Sequence, residues 1–426
     1  MLLHSLWTGC GPEAATAAQQ ALLERYVSTP FSLRHIPIRL PTLRLGTQQI
    51  ATFEMNADAP GPVIVWAHGA GAGLGFGYKN YDHLANLGGM RRRVVAFDWL
   101  GQANSSRPTF PAAGFRLLPL SPTEYADAAL KFFLVSFEAW REAMGIESMI
   151  FFAHSTGGYV AAHYAMAHPG RVVRLVLHGV AGLGSHPKAP SAQPNGPPVG
   201  PSAGEDVGSS GEQAGEASGT QAGEASGSQA GEASGSSRGS SRGSSPRKSL
   251  RKSATIGKIV RSPLWDSGIL NFGMIQRLGR LAKEPGRKRF IDFQGYRAGI
   301  TDEEELRLLY EYFYTALCGR PLSSDSWVNA LLVFVDGEEH RGLYARKPLA
   351  DEPASRLATL PPTMVIYGER DWVQTPSALR AAETLPNFAL RVEPGAHHHL
   401  YLDRPAVFHA FAEEALTLTL EGHERL

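Results

Sequence analysis

Cysteine is scarce in this sequence. Cys10 and Cys318 are the two cysteines among 426 residues, and their spacing matches neither a disulfide framework nor a metal-binding motif. An excess of charge is missing too, because 41 basic and 40 acidic side chains give a formal net charge of +1. The scarcity of cysteine leads us to expect a protein of a reducing compartment. Because the net charge is close to zero, the chain has no strong positive potential that would indicate nucleic acid as a partner.

Long apolar runs are also absent from the sequence. No stretch approaches the roughly 18 uninterrupted apolar residues that indicate a transmembrane helix. Residues 1–7 lack a basic segment and their apolar run is short, so no secretory signal is expected. A mitochondrial presequence is rich in arginine and poor in acids, whereas here Glu13 precedes the first arginine, Arg25. We expect a cytoplasmic protein, with a mitochondrial location as the weaker alternative.

The composition changes between residues 184 and 253, where glycine, serine, alanine, proline and glutamate dominate. The heptapeptide Gln-Ala-Gly-Glu-Ala-Ser-Gly starts at Gln213, Gln221 and Gln229. Such a segment has too little apolar surface to form a core and is predicted to be disordered. Its end is basic, with Arg238, Arg242, Arg247, Lys248, Arg251 and Lys252 among serines. Two interpretations remain open: a solvated linker, or a segment that binds anionic lipid and is released by serine phosphorylation.

Short apolar segments alternate with helical patterns along the rest of the chain. The strands are predicted at residues 43–45 and 50–53, as an opening hairpin, and then at 63–66, 94–97, 149–152, 175–177, 364–367 and 390–392. A helix is predicted from Thr123 to Ala143 by its apolar periodicity and the proline before it. This alternation is typical of an α/β protein whose mostly parallel sheet carries helices on both faces.

One predicted strand leads directly into a serine between small residues. Residues 149–152 are followed by Ala153, His154, Ser155, Thr156 and Gly157. A serine on a sharp turn between strand and helix needs small residues two positions before and after it. The usual pattern has glycine at both positions, and Ala153 differs from it by one methyl group. The pattern predicts Ser155 as a nucleophile in an α/β-hydrolase fold with an eight-stranded sheet.

An acid and a base for this serine follow in the order that this fold requires. Asp371 comes just after the predicted strand 364–367 and is predicted to be the acid; capping of the next helix is the alternative. Three consecutive histidines, His397, His398 and His399, follow the last predicted strand. We predict His398 as the base, with His399 as the second candidate. A metal site is the competing interpretation, but adjacent histidines diverge, so no metal or other cofactor is expected.

A glycine-rich loop follows the strand predicted at residues 63–66. It reads His-Gly-Ala-Gly-Ala-Gly over residues 68–73. Glycines allow this backbone to face a substrate, so the backbone N–H groups of Ala70 and Thr156 are the predicted oxyanion donors. A phosphate-binding loop is the alternative, but the lysine and hydroxyl residue of a Walker motif are missing.

Aromatic residues and helical periodicity return after the low-complexity segment and predict a helical cap. One helix is predicted to begin near Thr301, with Leu306, Leu309, Tyr310 and Phe313 as its buried stripe. The stripe either lines a lipid pocket or packs the cap onto the sheet. A second basic cluster comprises Arg277, Arg280, Lys283, Arg287, Lys288 and Arg289. The expected domains are an extension (1–30), the first part of the core (31–183), a disordered insert (184–253), the cap (254–345) and the second part of the core (346–426).

Several stretches together resemble a known family. They are residues 98–102 with 105–108, 136–141, 344–349 and 398–403. Through them the chain resembles the α/β-hydrolase-domain proteins of lipid metabolism, subfamily 4/5, a group of lysophospholipases, cardiolipin deacylases and a lipid-droplet lipase co-activator. The resemblance covers roughly residues 22–183 and 262–416 and leaves the repeats unmatched.

The resemblance implies a serine carboxylic-ester hydrolase that acts on acyl lipids, as a phospholipase or lysophospholipase, at a lipid-droplet or membrane surface. His398 and Asp403 match the motif that some members are proposed to use for acyl transfer to lysophosphatidic acid. We favour a structural role for Asp403 as the N-cap of the last helix, with any acyl transfer passing through the Ser155 acyl-enzyme. The second candidate function is that of a non-catalytic lipase regulator. The family's co-activator lacks the nucleophilic serine, so the presence of Ser155 in this chain disfavours that function. Epoxide and haloalkane hydrolases would need an aspartate at the position of Ser155.

Overall fold

The computed structural model describes residues 11–108, 121–185, 300–318, 323, 327–335 and 342–418. Apart from residues 184 and 185, the predicted disordered insert lies outside these ranges, as do both basic clusters. The predictions made for them therefore stay predictions, and so do the domain boundaries. Within the described ranges, no helix is long and apolar enough to cross a membrane.

Ten strands and ten α-helices lie in the described residues. The strands are β1 (Phe31–Leu40), β2 (Leu45–Met55), β3 (Val63–Ala67), β4 (Val94–Phe97), β5 (Met149–His154), β6 (Val172–His178), β7 (Leu332–Val335), β8 (Gly342–Ala345), β9 (Thr363–Gly368) and β10 (Phe388–Glu393). The helices are α1 (Pro12–Tyr26), α2 (Tyr81–Leu84), α3 (Pro122–Ala143), α4 (Ser155–Ala167), α5 (Glu303–Phe313), α6 (Trp327–Leu331), α7 (Ala354–Leu357), α8 (Pro376–Thr384), α9 (Leu400–Asp403) and α10 (Pro405–Thr417).

Eight strands form one sheet in the order β1-β2-β4-β3-β5-β6-β9-β10. The pairs β1–β2 and β2–β4 are antiparallel, and all the following pairs are parallel. Both faces of the sheet are covered, because Val65 of β3 belongs to one apolar cluster and Trp66 to another. The predicted mostly parallel, eight-stranded sheet with helices on both faces is confirmed.

The start of the sheet differs from the prediction. Residues 43–45 were expected to form a strand, but Pro41–Leu43 forms a 3-10 turn and Arg44 has a left-handed φ of 54°. The outer partner of β2 is instead β1, which contains Pro37 and buries only Ile38 and Leu40. A proline is tolerated there because β1 is an edge strand, where one side of the backbone has no neighbouring strand.

Helix α3 supports the central strand β5 from one face of the sheet. Ser121 and Glu124 form a capping box at its start, as the sequence favours. Phe137 of the helix stacks on Phe151 of β5, with ring centroids 5.0 Å apart and an interplanar angle of 7°. Trp140 is fully buried, and its Nε1 donates to Thr52 Oγ1 at 2.9 Å. Strand β5, which ends next to Ser155, is thereby held against a rigid aromatic layer.

Helix α5 was predicted, but its buried face is different. Asp302 is its N-cap and accepts a hydrogen bond from the Glu305 N–H at 2.7 Å. Leu309 and Phe313 are buried as expected, whereas Leu306 and Tyr310 are only half-buried. The helix buries Leu308 and Tyr312 in their place, because it packs on α1 and on the chain that follows the glycine-rich loop. The range predicted as a helical cap also contains the antiparallel hairpin β7–β8, which the helical periodicity did not indicate.

The contact between α5 and the chain after the glycine-rich loop is polar as well as apolar. Gly75 N–H donates to the Tyr312 hydroxyl at 3.2 Å, and Tyr78 donates its hydroxyl proton to Glu305. Lys79 Nζ also lies 2.6 Å from Glu305 Oε1. These bonds fix the backbone that directly follows the glycine-rich loop.

Backbone hydrogen bonds join the chain that leaves the sheet after β6 to the chain that returns before β9. Leu349 N–H donates to the Gly182 carbonyl at 3.0 Å, and Ala350 N–H donates to the Leu183 carbonyl at 2.9 Å. The segment that leaves the sheet after β6 therefore returns to the place it left.

We predict that Tyr312→Phe destabilises the protein by about 1–3 kcal/mol, because the buried Gly75 N–H loses its acceptor. Chemical denaturation measures the free energy of unfolding. Tyr26→Phe is the matched control, since the Tyr26 ring packs on Tyr78 at 5.1 Å and its hydroxyl has no hydrogen bond among the described residues. Equal losses in the two variants would contradict the assigned role of the Tyr312 hydroxyl.

Candidate active site

Ser155 lies on a sharp turn between β5 and α4. It is the first residue of α4, its φ is 53°, and only 6% of its surface is exposed. A left-handed φ is strained for a residue with a side chain, and such strain persists where the surrounding structure enforces it. Because β5 is paired on both sides, with β3 and β6, the turn projects Ser155 from the centre of the sheet.

Two glycines make this turn sterically possible. A Cβ atom on Gly157 would lie 2.3 Å from the His68 carbonyl oxygen, and one on Gly69 would lie 2.7 Å from Ser155 Cβ. Both values are below van der Waals contact, so the turn and the glycine-rich loop lie too close together for a side chain at either position. Ala153, where the usual pattern has glycine, is fully buried in β5.

The structure brings the three residues predicted for the active site together. His398 Nε2 lies 3.1 Å from Ser155 Oγ, and His398 Nδ1 lies 2.8 Å from Asp371 Oδ1. Asp371 Oδ1 also accepts from Val373 N–H at 3.0 Å, and the Asp371 side chain is fully buried. The three side chains form a continuous chain of hydrogen bonds at the carboxyl ends of the parallel strands.

Two further glycines support this arrangement and were missed in the sequence. A Cβ atom on Gly179 would lie 2.9 Å from Asp371 Oδ2 and 3.0 Å from His398 Nδ1. One on Gly368, at the end of β9, would lie 2.4 Å from the Ala396 carbonyl oxygen. Their only signal in the sequence is a glycine at a strand end, which is too common to identify a site.

His68 organises the glycine-rich loop. Burial lowers the pKa of His68 to about 4, so its ring is neutral at pH 7. Trp99 N–H donates to His68 Nε2 at 3.2 Å, so the ring proton is on Nδ1, which donates to the Gly69 carbonyl at 2.8 Å. The peptide plane fixes the N–H of Ala70 opposite to this carbonyl. The N–H of Ala70 therefore has a constrained direction, next to Gly69, which contacts Ser155. The roles of Ala70 and Thr156 as oxyanion donors stay predictions.

The remaining residues predicted for the site have other partners. His399, the second candidate for the base, has its Nδ1 3.1 Å from the Tyr401 hydroxyl. Asp403 Oδ2 accepts from His397 N–H at 3.2 Å and lies 3.2 Å from His397 Nδ1. The prediction that Asp403 caps the last helix is wrong, because Arg404 is the N-cap of α10 and Asp403 ends α9. In the part of the chain that is described, no three His, Cys, Asp or Glu side chains are grouped to hold a metal ion.

Known proteins share both this sequence and this fold. The alpha/beta hydrolase fold family matches residues 62–216. A 1-acylglycerol-3-phosphate O-acyltransferase of Arabidopsis thaliana is 30% identical over 371 residues, which are 85% of this chain and 68% of the plant protein. The chain belongs to the α/β-hydrolase family. Among its further relatives is the (lyso)-N-acylphosphatidylethanolamine lipase of Bos taurus, which is 29% identical over 93% of this chain and 87% of the bovine protein.

This α/β hydrolase also has structural neighbours. Carboxylesterase CesB of Bacillus subtilis superposes with a TM-score of 0.50 over 96% of this chain and 99% of the bacterial one. The sequence identity of that pair is 12%, so the similarity bears on the fold alone. The resemblance to α/β hydrolases of lipid metabolism is confirmed by the two lipid-acting relatives, and the predicted fold class is confirmed by both kinds of comparison.

We predict that Gly157→Ala destabilises this hydrolase by about 1–3 kcal/mol, the usual cost of overpacking. The new methyl group would meet the His68 carbonyl, and a backbone atom cannot rotate away. Thermal unfolding measures the effect. Gly46→Ala is the control, because a Cβ atom at Gly46 has no neighbour within 4 Å. Equal melting temperatures for Gly157→Ala and Gly46→Ala would show that the turn can relax.

Proposed function

We propose that this α/β hydrolase is a serine carboxylic-ester hydrolase of acyl lipids, with Ser155 as nucleophile, His398 as base and Asp371 as acid. The observation that carries the proposal is the hydrogen-bonded chain from Ser155 Oγ through His398 to Asp371. A hydroxyl, an imidazole and a buried carboxylate in this order are the arrangement that activates a serine.

Each residue then has a defined step. Ser155 Oγ attacks the acyl carbon while His398 Nε2 takes its proton, and Asp371 holds the ring through Nδ1–H and stabilises the imidazolium. The N–H groups of Ala70 and Thr156 stabilise the oxyanion. His398 then protonates the leaving alcohol, and a water molecule activated by the same histidine hydrolyses the acyl-enzyme. No cofactor takes part in this scheme.

The substrate class follows from the relatives and from the surface beside the site. The relatives are named as an acyltransferase of acylglycerol phosphate and a lipase of N-acylated phosphatidylethanolamine. Trp372 is 48% exposed, and its ring centroid lies 5.1 Å from that of His398. An exposed tryptophan suits a boundary between water and lipid. We therefore favour a phospholipid or lysophospholipid substrate, met by the protein at the surface of an intracellular membrane or lipid droplet.

Acyl transfer can use the same site. The acyl group on Ser155 passes to water in hydrolysis and to the hydroxyl of a lysolipid in transfer, and His398 removes the proton in both cases. Asp403 contributes by holding the backbone of His397, next to the base. In this scheme His398 and Asp403 belong to one active site, and the predicted acyltransferase motif is not a second centre.

The domain division remains part of the proposal. We assign catalysis to the core segments 31–183 and 346–426 and control of substrate access to the cap segment 254–345, which is inserted between β6 and β9. The contacts of α5 with the chain after the glycine-rich loop support this assignment, because they connect a cap helix to the backbone of the site. The low-complexity segment 184–253 is assigned no catalytic role.

We predict that Ser155→Ala lowers fatty-acid release by about 10⁴-fold or more, as expected for loss of a nucleophile that acts with its base. The assay incubates purified protein with mixed phospholipids and lysophospholipids and quantifies fatty acid and acylated products by mass spectrometry. Ser148→Ala, at the opposite end of β5, is the matched control and retains activity. Equal release by the wild type and Ser155→Ala would instead favour a non-catalytic lipase regulator.

A second variant tests whether transfer and hydrolysis share one site. We predict that Asp403→Asn lowers both rates by the same factor, because Asp403 acts through the loop that carries His398. The same assay with added lysophosphatidic acid measures both products in one sample. Loss of transfer with unchanged hydrolysis would show that Asp403 serves a separate acyltransferase centre.

A further inference from the structure

His154, the residue before Ser155, contacts the loop that carries His398. Its side chain is buried, and its Nε2 lies 3.1 Å from the His398 carbonyl oxygen. The neighbouring carbonyls of this loop are held by the backbone: that of Ala396 accepts from Arg370 N–H at 2.9 Å, and that of His399 from Leu402 N–H at 2.8 Å. The carbonyl of His398 is thus bonded to a side chain of the nucleophile strand.

The hydrogen bond fixes the protonation of His154. A carbonyl only accepts, so Nε2 carries the proton and Nδ1 is unprotonated in the neutral ring. Nδ1 has no hydrogen-bond partner among the described residues, and a Cβ atom on Gly69 would lie 2.9 Å from it. Burial, together with the neighbouring histidines, holds the pKa of His154 well below its usual value. His154 therefore does not compete with His398 for the proton of Ser155.

The ring of His154 is enclosed by other rings, so its position is fixed. The centroids of Tyr401, His399 and His178 lie 4.9, 5.0 and 5.1 Å from it, and that of His398 lies 4.6 Å away. None of these groups is an acid that would stabilise a charged His154. On the backbone side, His154 is bonded to Ser155, whose left-handed φ is fixed by the turn. One residue therefore constrains the nucleophile through its backbone and the base through its ring.

We propose that His154 is a positioning residue. By its hydrogen bond to the His398 carbonyl, it fixes the distance between His398 Nε2 and Ser155 Oγ. The inference deepens the proposed function and rests on it. Without this hydrogen bond the His398 backbone can shift, and a misplacement of about 1 Å at a reacting group costs on the order of 10²-fold in rate. The loss falls on kcat, while KM, which reflects substrate contacts elsewhere, changes little.

The test compares His154→Phe, which keeps a ring but removes the donor, with His154→Gln, whose side-chain amide restores a donor of similar reach. Hydrolysis of a short soluble ester, p-nitrophenyl butyrate, is measured together with its pH–rate profile. We expect kcat to fall by about 10- to 100-fold in His154→Phe and to recover largely in His154→Gln. His163→Phe, a buried histidine farther along α4, controls for the loss of a buried imidazole and keeps the wild-type kcat.

The resting protein gives a readout that needs no turnover. The downfield proton resonance of the bond between His398 and Asp371 reports the placement of the base, and we expect it in the wild type and His154→Gln but not in His154→Phe. An unchanged resonance and kcat in His154→Phe would overturn the inference, as would equal losses in the Phe and Gln variants. A wild type that shows this resonance without hydrolysing lipid or soluble ester would contradict the proposed function and leave the positioning role in place.

Discussion

The site depends on one close approach between two backbones. The turn at Ser155 and the loop that begins at His68 approach each other closely, which is possible because residues 69 and 157 are glycines. This approach places the Ser155 turn directly beside the backbone of the glycine-rich loop. The strain of the left-handed serine is offset by the pairing of β5 on both sides and by the aromatic layer of α3.

Hydrogen-bond partners distinguish the buried histidines around this turn. His68 and His154 are enclosed, neutral and bonded to backbone carbonyls, so each acts as a rigid hydrogen-bond donor. His398 differs from them in facing a carboxylate on one side and a hydroxyl on the other. Environment thus separates the imidazole that joins Ser155 to Asp371 from the two that bond to backbone carbonyls.

Much of the site was predictable from sequence because its signals are local. Ser155 stands in a short steric pattern, and Asp371 and His398 follow strand ends in the order of the fold. The parts that were missed or wrong depend on tertiary contacts. Strand β1 exists because β2 offers it an edge, Asp403 pairs with His397 because α9 turns back on the loop, and Gly179 matters only because Asp371 packs against it. Neither composition nor periodicity records such distant neighbours.

The pair of hydrogen bonds that joins residues 182–183 to residues 349–350 holds the two ends of the intervening chain side by side. In general, each doubling of the length of a flexible loop costs only about 0.6 kcal/mol in closure entropy. Glycine- and serine-rich heptapeptides can therefore be gained or lost between these positions without altering the register of β6 against β9. Length variation among related chains is expected to concentrate between these positions.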